Sequence, residues 1–156
     1  WQDGRWVPTF GHARYLFARE EWAHLEAQDE MPPEILDSVR PVMDAGLAAL
    51  VDHDHQVTDE VRLEPTPGHT AGHVSVHIRS AGEEAVITGD MTHHPCQLHH
   101  PEWSTRVDFD PDLARRTRET FYASYADRPV LIIGTHFAAP TAGHIVRDGE
   151  AYRLAF

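Results

Sequence analysis

The chain has 156 residues, of which 41% are hydrophobic, enough for the core of one globular domain and too few for two, so we predict a single domain over residues 1–156. Its formal net charge of −12 repels phosphate backbones and anionic lipid, which argues against nucleic acid and a membrane as partners. All 13 Lys+Arg positions are arginine, which excludes a catalytic lysine and a P-loop, and the single cysteine, Cys96, excludes an intrachain disulfide and a cysteine-rich zinc site.

The first third of the sequence predicts one strand followed by helices. The aromatic and aliphatic density of Ala13–Ala18 is typical of a short strand, and Glu20–Gln28 predicts a short helix. Pro32-Pro33 begins a second helical stretch, which we expect Pro41 to bend or split. Apolar residues recur along this stretch at helical spacing and predict core packing: Ile35, Leu36, Val39, Val42, Met43, Leu47 and Leu50.

The middle of the sequence predicts strands joined by tight turns. Three strands are predicted: Val61–Pro65, Val74–Ile78 and Ala85–Ile87. The sequence TPGHTAGH, Thr66–His73, forms the connection between the first two, and Ser80–Glu83 is a hairpin turn before the third. The third strand ends at Gly89-Asp90.

The last third predicts a helix, a strand and a hairpin. The helix begins at Asp110 or Pro111, with Asp110 as N-cap, and continues to about Ala126. Val130–His136 is a continuous apolar run, typical of a strand buried on both faces, and the final hairpin turns on Asp148-Gly149. This order of elements predicts an α/β or α+β sandwich.

Three residues of metal-binding types, two histidines and one aspartate, fall at the ends of predicted strands. His69 lies in the turn between two strands, while Asp90 and His136 each follow a buried strand. Sites are built at such ends because the rigid sheet fixes the ligands and the loops leave room for a substrate. Imidazole and carboxylate suit zinc, iron and manganese, and one carboxylate can bridge two ions.

Most of the 13 histidines carry no such pattern, and a lone loop histidine is more often solvated or hydrogen-bonded than a ligand. We assign this ordinary role to His12, His24, His77 and His144. The polar sequence Asp52–His55 predicts a solvated turn. Within the irregular segment Met91–Val107, the pairs His93-His94 and His99-His100 either line a pocket or lie on the surface.

The two histidines of the Thr66–His73 turn are not equivalent. Pro67 and the two glycines of this stretch would break a helix, so the His69 and His73 rings are not paired on a helical face. We expect the bend to present the His69 ring. His73 is expected to orient a ligand or hold the loop by hydrogen bonding.

Three segments together resemble the metallo-β-lactamase superfamily of hydrolases. They are Thr66–His73, Thr88-Gly89-Asp90 and Gly134-Thr135-His136, in the same order, spacing and strand context as in that family. More narrowly, ITGDMTHHPCQLHHPEWS and THFAAPTAGHIV resemble the branch of methyl parathion hydrolase-like enzymes, lactonases and esterases. The likeness covers most of the chain from about Val61 to Phe156.

The resemblance implies a ligand set and a chemistry. By matching motifs, His69 would bind one metal, His136 a second, and Asp90 would bridge both and be catalytic, with His73 in support. The expected cofactor is Zn²⁺, two ions in the complete enzyme, with Mn²⁺ or Fe²⁺ as alternatives. A metal-bound hydroxide would cleave a lactone, ester, phosphotriester or β-lactam. We expect a small, uncharged substrate in a pocket lined by Met91, His94, Trp103 and Phe137.

The family's other ligand block, H-x-H-x-D-H, has no match in the sequence. We therefore expect the C-terminal half of an αβ/βα sandwich, with that block upstream of Trp1. Alone, the chain should expose one layer of its hydrophobic core and a sheet edge, so we expect it to aggregate or to pair with another chain, and a homo-oligomer is left open. We also expect it to bind metal weakly and to hydrolyse little.

Two other functions remain open on the sequence. Two histidines and one aspartate are also the donor set of a non-haem iron oxygenase, and the motifs could survive in a non-catalytic remnant or binding module. No apolar stretch approaches the roughly 20 residues of a membrane span, so we expect a soluble protein, with the cytoplasm favoured.

Overall fold

The computed structural model describes all 156 residues, Trp1–Phe156, and their contacts define two compact units, residues 1–52 and 53–156. No helix in either unit is long and apolar enough to cross a membrane. The prediction of a single domain stays a prediction.

The first unit is a parallel strand pair with helices in the crossover. Its elements are β1 (Tyr15–Ala18), α1 (Arg19–Glu26), α2 (Pro33–Ser38), α3 (Arg40–Asp44) and β2 (Ala48–Val51). The strands β1 and β2 run parallel, with Tyr15 opposite Ala48, as expected when helices connect two strands of one sheet. The predicted strand and first helix are confirmed, and the second helical stretch is split at Val39, just before Pro41.

The predicted length of that second helical stretch is wrong. It ends at Asp44, and Leu50 belongs to the strand β2. Gly46, with φ +69°, turns the chain out of the helix, because this left-handed conformation is favourable mainly for glycine. The carbonyl of Leu47 then accepts a hydrogen bond from Tyr15 N at 3.0 Å, which begins the pairing with β1.

The second unit is a six-stranded sheet with helices. Its elements are β3 (Val61–Pro65), β4 (Val74–Ser80), β5 (Glu83–Ile87), a 3₁₀ turn (Gly89–Met91), α4 (Cys96–His99), α5 (Pro111–Tyr125), β6 (Val130–Ile133), β7 (Ala142–Asp148) and β8 (Ala151–Ala155). The strand order follows the chain, β3-β4-β5-β6-β7-β8, and only the β5–β6 pair is parallel. The predicted strands, long helix and final hairpin are confirmed, and Asp110 caps α5 by accepting from Leu113 N at 2.9 Å.

The sequence-based description differs from the structure at two places in this unit. The segment after Met91 contains a short helix, α4, where an irregular chain was predicted. The strand β6 ends at Ile133, and it is buried on one face only: Val130 and Ile132 are 2% exposed, whereas Leu131 between them is 37% exposed. The reason is that side chains of a strand alternate between faces, and only one face packs under α5.

The two faces of this sheet have different environments. One carries the hydrophobic core, in which Val86, Val130 and Ile132 lie with Phe121 and Tyr125 of α5. The opposite face is also apolar and only half-buried. This aliphatic face consists of Val61, Leu63, Val76, Ile78, Ala85, Ile87, Leu131 and Ile133, which are neighbours by strand register.

Candidate metal centre

The sheet brings three chain segments to one edge. The strand β4 begins, and the antiparallel β5 ends, at the same side, because Val76 pairs with Ile87. The strand β6 is parallel to β5, with Ile87 opposite Ile133, so it ends at this edge too. The turn before β4, the 3₁₀ turn after β5 and the loop after β6 therefore meet, and they carry His69, Asp90 and His136.

The Thr66–His73 turn is fixed against the start of α5. Gly68 has φ +130°, and a Cβ on it would lie 2.3 Å from the backbone N of Ala114. The adjacent carbonyls accept hydrogen bonds: Phe109 N donates to His69 O at 3.0 Å and Asp110 N to Gly68 O at 2.9 Å. Only glycine fits at this position. The close approach of the turn to α5 therefore fixes the backbone that carries the His69 side chain.

The carboxylate of Asp90 lies between two imidazoles. Its Oδ1 is 3.1 Å from His136 Nε2 and its Oδ2 is 3.5 Å from His69 Nε2. The His69 side chain is 12% exposed, whereas those of Asp90 and His136 are 38% and 46% exposed. The three predicted residues are therefore together, with a side open to solvent.

The Nδ1 side of the His69 ring is held by a buried carboxylate. Its Nδ1 lies 3.0 Å from Asp108 Oδ1, and the Asp108 side chain is 1% exposed. Since an ionised carboxylate can only accept, Nδ1 donates to it, and the lone pair of the neutral ring is on Nε2. That lone pair faces Asp90, which is the orientation in which a metal-binding histidine is usually held.

Asp108 is kept ionised although it is buried. Burial alone would raise its pKa, but hydrogen bonds from His69 and Thr105 and the charge of Arg118 hold the pKa of this carboxyl below its ordinary value. Thr105 donates through its hydroxyl at 2.8 Å and its backbone N at 3.2 Å, and Arg118 Nη1 lies 3.6 Å from Asp108 Oδ2.

Arg118 also fixes the loop that carries Asp108. Its guanidinium donates to Pro101 O at 2.9 Å, to Ser104 Oγ at 3.2 Å and to Met91 O at 3.4 Å. The residue is 1% exposed, in the middle of α5. The buried guanidinium of Arg118 therefore connects α5 with the loop after Asp90 and with Asp108, the carboxylate that holds His69.

His73 supports the segment that carries Asp90. Its Nε2 accepts a hydrogen bond from Asp90 N at 2.9 Å, so its Nδ1 carries the proton and donates to Thr66 O at 3.0 Å. Gly89, with φ +58°, brings the backbone so close that a Cβ would lie 2.7 Å from His73 Nε2. Both ring nitrogens are thus used in positioning the two turns.

His93 joins this cluster, although the sequence left its role open. Its ring stacks on that of His136, with centroids 4.8 Å apart and planes within 7°, and lies 5.0 Å from the ring of His69. Its Nδ1 is buried without a hydrogen-bond partner, which costs about 1–3 kcal/mol for a buried polar group. Burial, followed by the neighbouring imidazoles, lowers the pKa of His93 and favours its neutral form.

The donor set fits a divalent cation of the zinc type. One donor atom each of His69, Asp90 and His93 lies within 4.8 Å of the others. Ligand atoms that share a tetrahedral zinc ion at its usual bond lengths are about 3.3 Å apart, close to the 3.1 and 3.5 Å between Asp90 and its two histidines. Neutral imidazole and carboxylate are also the donors that such ions accept.

The four residues predicted to line a pocket lie in different environments. Met91 and Phe137 belong to the core, at 2% and 5% exposed, where they stabilise the loops that carry Asp90 and His136. The apolar character that suggested a pocket wall is explained by this packing. His94 is exposed and accepts from Cys96 N at 3.1 Å, and Trp103, 53% exposed, stacks on His100. A substrate-lining role stays a prediction for these two.

Sequence reasoning missed Asp108 and Arg118, and one of them carried a signal. Arg118 lies on the apolar stripe of α5, at helical spacing from Ala114, Phe121 and Tyr122. A cation on such a stripe must be buried and therefore paired. Asp108 had no comparable signal, because its burial depends on where the loop folds.

Histidines outside the cluster have ordinary partners. His77, which is buried, lies with Nε2 3.1 Å from Glu84 Oε2, and Nδ1 of His144 donates to Val130 O at 3.0 Å. These contacts agree with the structural role that was expected for both.

The mixed α/β sheet carries at its strand ends a His/Asp cluster that could hold a metal ion. The family model described as "Metallo-beta-lactamase superfamily" matches residues 2–136. The chain belongs to this superfamily. The comparison with curated proteins gives no match.

Solved structures resemble the chain over most of its length. The crystal structure of the hydrolase AbOPH in the beta lactamase superfamily is 24% identical, with a TM-score of 0.76, over 91% of this chain and 54% of that one. AidC, a dizinc quorum-quenching lactonase, is 22% identical, with a TM-score of 0.68, over 84% and 46%. A probable metal-dependent hydrolase from Staphylococcus aureus is 21% identical, with a TM-score of 0.71, over 94% and 53%. These likenesses confirm the fold, and the chain spans about half the length of each structure.

Proposed function

We propose that the chain carries part of the active site of a metal-dependent hydrolase that cleaves a lactone, ester, phosphotriester or β-lactam. The observation that carries the proposal is the Asp90 carboxylate, whose two oxygens face His136 Nε2 at 3.1 Å and His69 Nε2 at 3.5 Å. The similar solved structures described as hydrolases and as a dizinc lactonase support the same reaction class.

The residues of the chain have separate tasks in this proposal. His69, Asp90 and His136 would hold divalent cations, zinc in preference and manganese or iron as alternatives, and Asp90 has one carboxylate oxygen toward each histidine. Asp108 fixes the His69 tautomer that leaves Nε2 free, and His73 holds the backbone of Asp90 in place. A bound cation of this kind lowers the pKa of water and polarises a carbonyl or phosphoryl oxygen.

The exposure of the Asp90 and His136 side chains, 38% and 46%, leaves an approach for a small-molecule substrate, whereas His69 is only 12% exposed. No residue of the chain needs to act as a covalent nucleophile in this chemistry. We propose neither nucleic acid nor a membrane as partner, because the net charge of −12 opposes both.

The test is hydrolysis by the purified chain, supplied with Zn²⁺, Mn²⁺ or Fe²⁺, of a homoserine lactone, an aryl ester, an aryl phosphotriester and a chromogenic β-lactam. We expect slow turnover of at least one substrate that requires the added cation and is lost in Asp90→Asn. His144→Gln, a histidine outside the cluster, is the control and should retain the wild-type rate. Cation-independent turnover, or equal rates for wild type and Asp90→Asn, would contradict the proposal.

A non-haem iron oxygenase is the second candidate, because His69, Asp90 and His93 are two imidazoles and one carboxylate, a donor set used by such sites. If the Fe²⁺-supplied chain consumes oxygen, the result would favour the oxygenase. If it consumes none, the result would favour hydrolysis. A non-catalytic remnant would bind one ion or none, which the metal stoichiometry tests.

A further inference from the structure

The position of His93 within the cluster was not expected from its place in the sequence. His93 and His94 are adjacent, and the sequence offers the same two roles for both, pocket lining or plain surface. The structure separates them: the centroid of the His93 ring lies 5.0 Å from that of His69 and 4.8 Å from that of His136, whereas His94 is exposed and accepts from Cys96 N.

Two further observations distinguish His93 from a histidine that only fills space. One of its donor atoms lies within 4.8 Å of donor atoms of both His69 and Asp90, a closeness found for no other group of three His, Cys, Asp or Glu residues in the chain. Its Nδ1 is buried with no hydrogen-bond partner, whereas Nδ1 of the neighbouring His69 pairs with Asp108 Oδ1 at 3.0 Å.

From this geometry we propose that His93 is a cation ligand, which forms with His69 and Asp90 a three-donor site contained within residues 69–93. The inference rests on the proposed function, since it concerns the same metal centre. It goes beyond the ligand set expected from the motifs, in which His136 and not His93 completes the set.

The stacked arrangement explains how two histidines can serve one centre. The planes of His93 and His136 are 7° apart, so the two rings are stacked, and each ring has a nitrogen near the Asp90 carboxylate. His136 is in contact with Asp90 Oδ1, and His69 with Oδ2. His93 therefore adds a donor atom within 4.8 Å of those of His69 and Asp90.

The experiment is Zn²⁺ titration of the purified chain by calorimetry, with the visible absorption of the Co²⁺-substituted protein as a second readout of the ligand set. We compare wild type with His93→Gln, His93→Cys, His94→Gln and Asp90→Asn, and check each fold by circular dichroism. We expect His93→Gln to bind Zn²⁺ at least about tenfold more weakly and to change the Co²⁺ spectrum, because one ligand is lost.

His93→Cys separates a ligand from a space-filling residue, since a thiolate binds zinc but does not reproduce the ring stacking. We expect it to recover most of the affinity lost in His93→Gln, and His94→Gln to bind as wild type does. Equal affinity of His93→Gln and wild type, no recovery in His93→Cys, or an equal loss in His94→Gln would overturn the role of His93.

Failure of the proposed function gives a different result. In that case the wild type binds no Zn²⁺, or Asp90→Asn binds as tightly as the wild type. If Asp90→Asn abolishes binding while His93→Gln leaves both readouts unchanged, the metal centre stands and only the inference about His93 falls.

Discussion

His69 and Asp108 are 39 residues apart in the sequence, yet Nδ1 of one donates to Oδ1 of the other at 3.0 Å, and both side chains are largely withdrawn from solvent. This contact decides which nitrogen of His69 carries the proton. In the neutral ring, it leaves the lone pair on Nε2, which faces Asp90, as cation binding requires.

We expect Asp108→Asn to weaken Zn²⁺ binding by about 10- to 100-fold, in the range typical of residues that orient a metal-binding histidine. An amide can donate to Nδ1 and so favour the tautomer with the proton on Nε2. Calorimetry measures the affinity, and ¹⁵N NMR of the histidine rings identifies the tautomer of His69. Asp112→Asn, at an exposed position of α5, is the control. Unchanged tautomer and affinity in Asp108→Asn would refute this role.

Arg118→Met should destabilise the protein by about 3–5 kcal/mol, because it leaves the buried Asp108 charge without its cation. Both side chains are 1% exposed. Urea unfolding measures the loss, and Arg115→Ala, which removes an exposed i,i+4 pair with Glu119, should cost below about 1 kcal/mol. We expect the double variant Arg118→Met/Asp108→Asn to regain part of the stability, and no gain over the single variant would argue against the pairing.

The strand-end position of three residues could be predicted because it follows from local patterns. Glycines and prolines mark the turn before β4, and apolar runs mark β5 and β6, so His69, Asp90 and His136 could be placed at strand ends from the sequence. Parallel pairing of β5 with β6 then brings the last two together without further information.

The rest of the cluster depends on contacts that no local pattern encodes. His93 and His94 are neighbours with the same chemistry, and only the backbone after the 3₁₀ turn decides which ring is turned inward. Asp108 follows an irregular loop and is fixed by an arginine of α5. The strand β2 was missed for a similar reason, since four apolar residues suit a helix or a strand and the partner β1 is distant in sequence.

Gly68→Ala should cost clearly more stability than Gly82→Ala. Both glycines have positive φ, +130° and +88°, so an alanine at either position is strained by about 1–3 kcal/mol. Only at Gly68 does the added Cβ also meet backbone, 2.3 Å from Ala114 N, whereas the space around Gly82 is open. Thermal and urea unfolding of the two variants measure the difference. Equal stability of both would mean that the turn does not need its close contact with α5.

Stability should decline above about pH 10, partly because of Tyr125. Burial and then the hydrogen bond to Glu64 raise the pKa of this phenol. A tyrosine whose pKa is higher in the folded state contributes fully to the free energy of unfolding below its unfolded pKa of about 10. Above that pH the phenol ionises first in the unfolded chain, so the free energy of unfolding falls by up to about 1.4 kcal/mol per pH unit. Tyr125→Phe should therefore show a shallower decline in unfolding free energy between pH 9 and 11. An identical slope in the variant would show that Tyr125 does not cause it.

The half-buried aliphatic face should make the chain associate with itself. Leu131 is its most exposed member, at 37%. It pairs with Ala85 on the neighbouring strand, and Ala85 pairs in turn with Ile78 on the next, which forms the kind of contiguous apolar surface that drives association. Sedimentation velocity over a range of concentrations should detect dimers or larger species, and Leu131→Glu should shift them toward monomer. Leu36→Glu places the same charge at an exposed leucine of α2 and is the control. A wild-type chain that stays monomeric at every concentration, or an equal shift in both variants, would exclude association through this face.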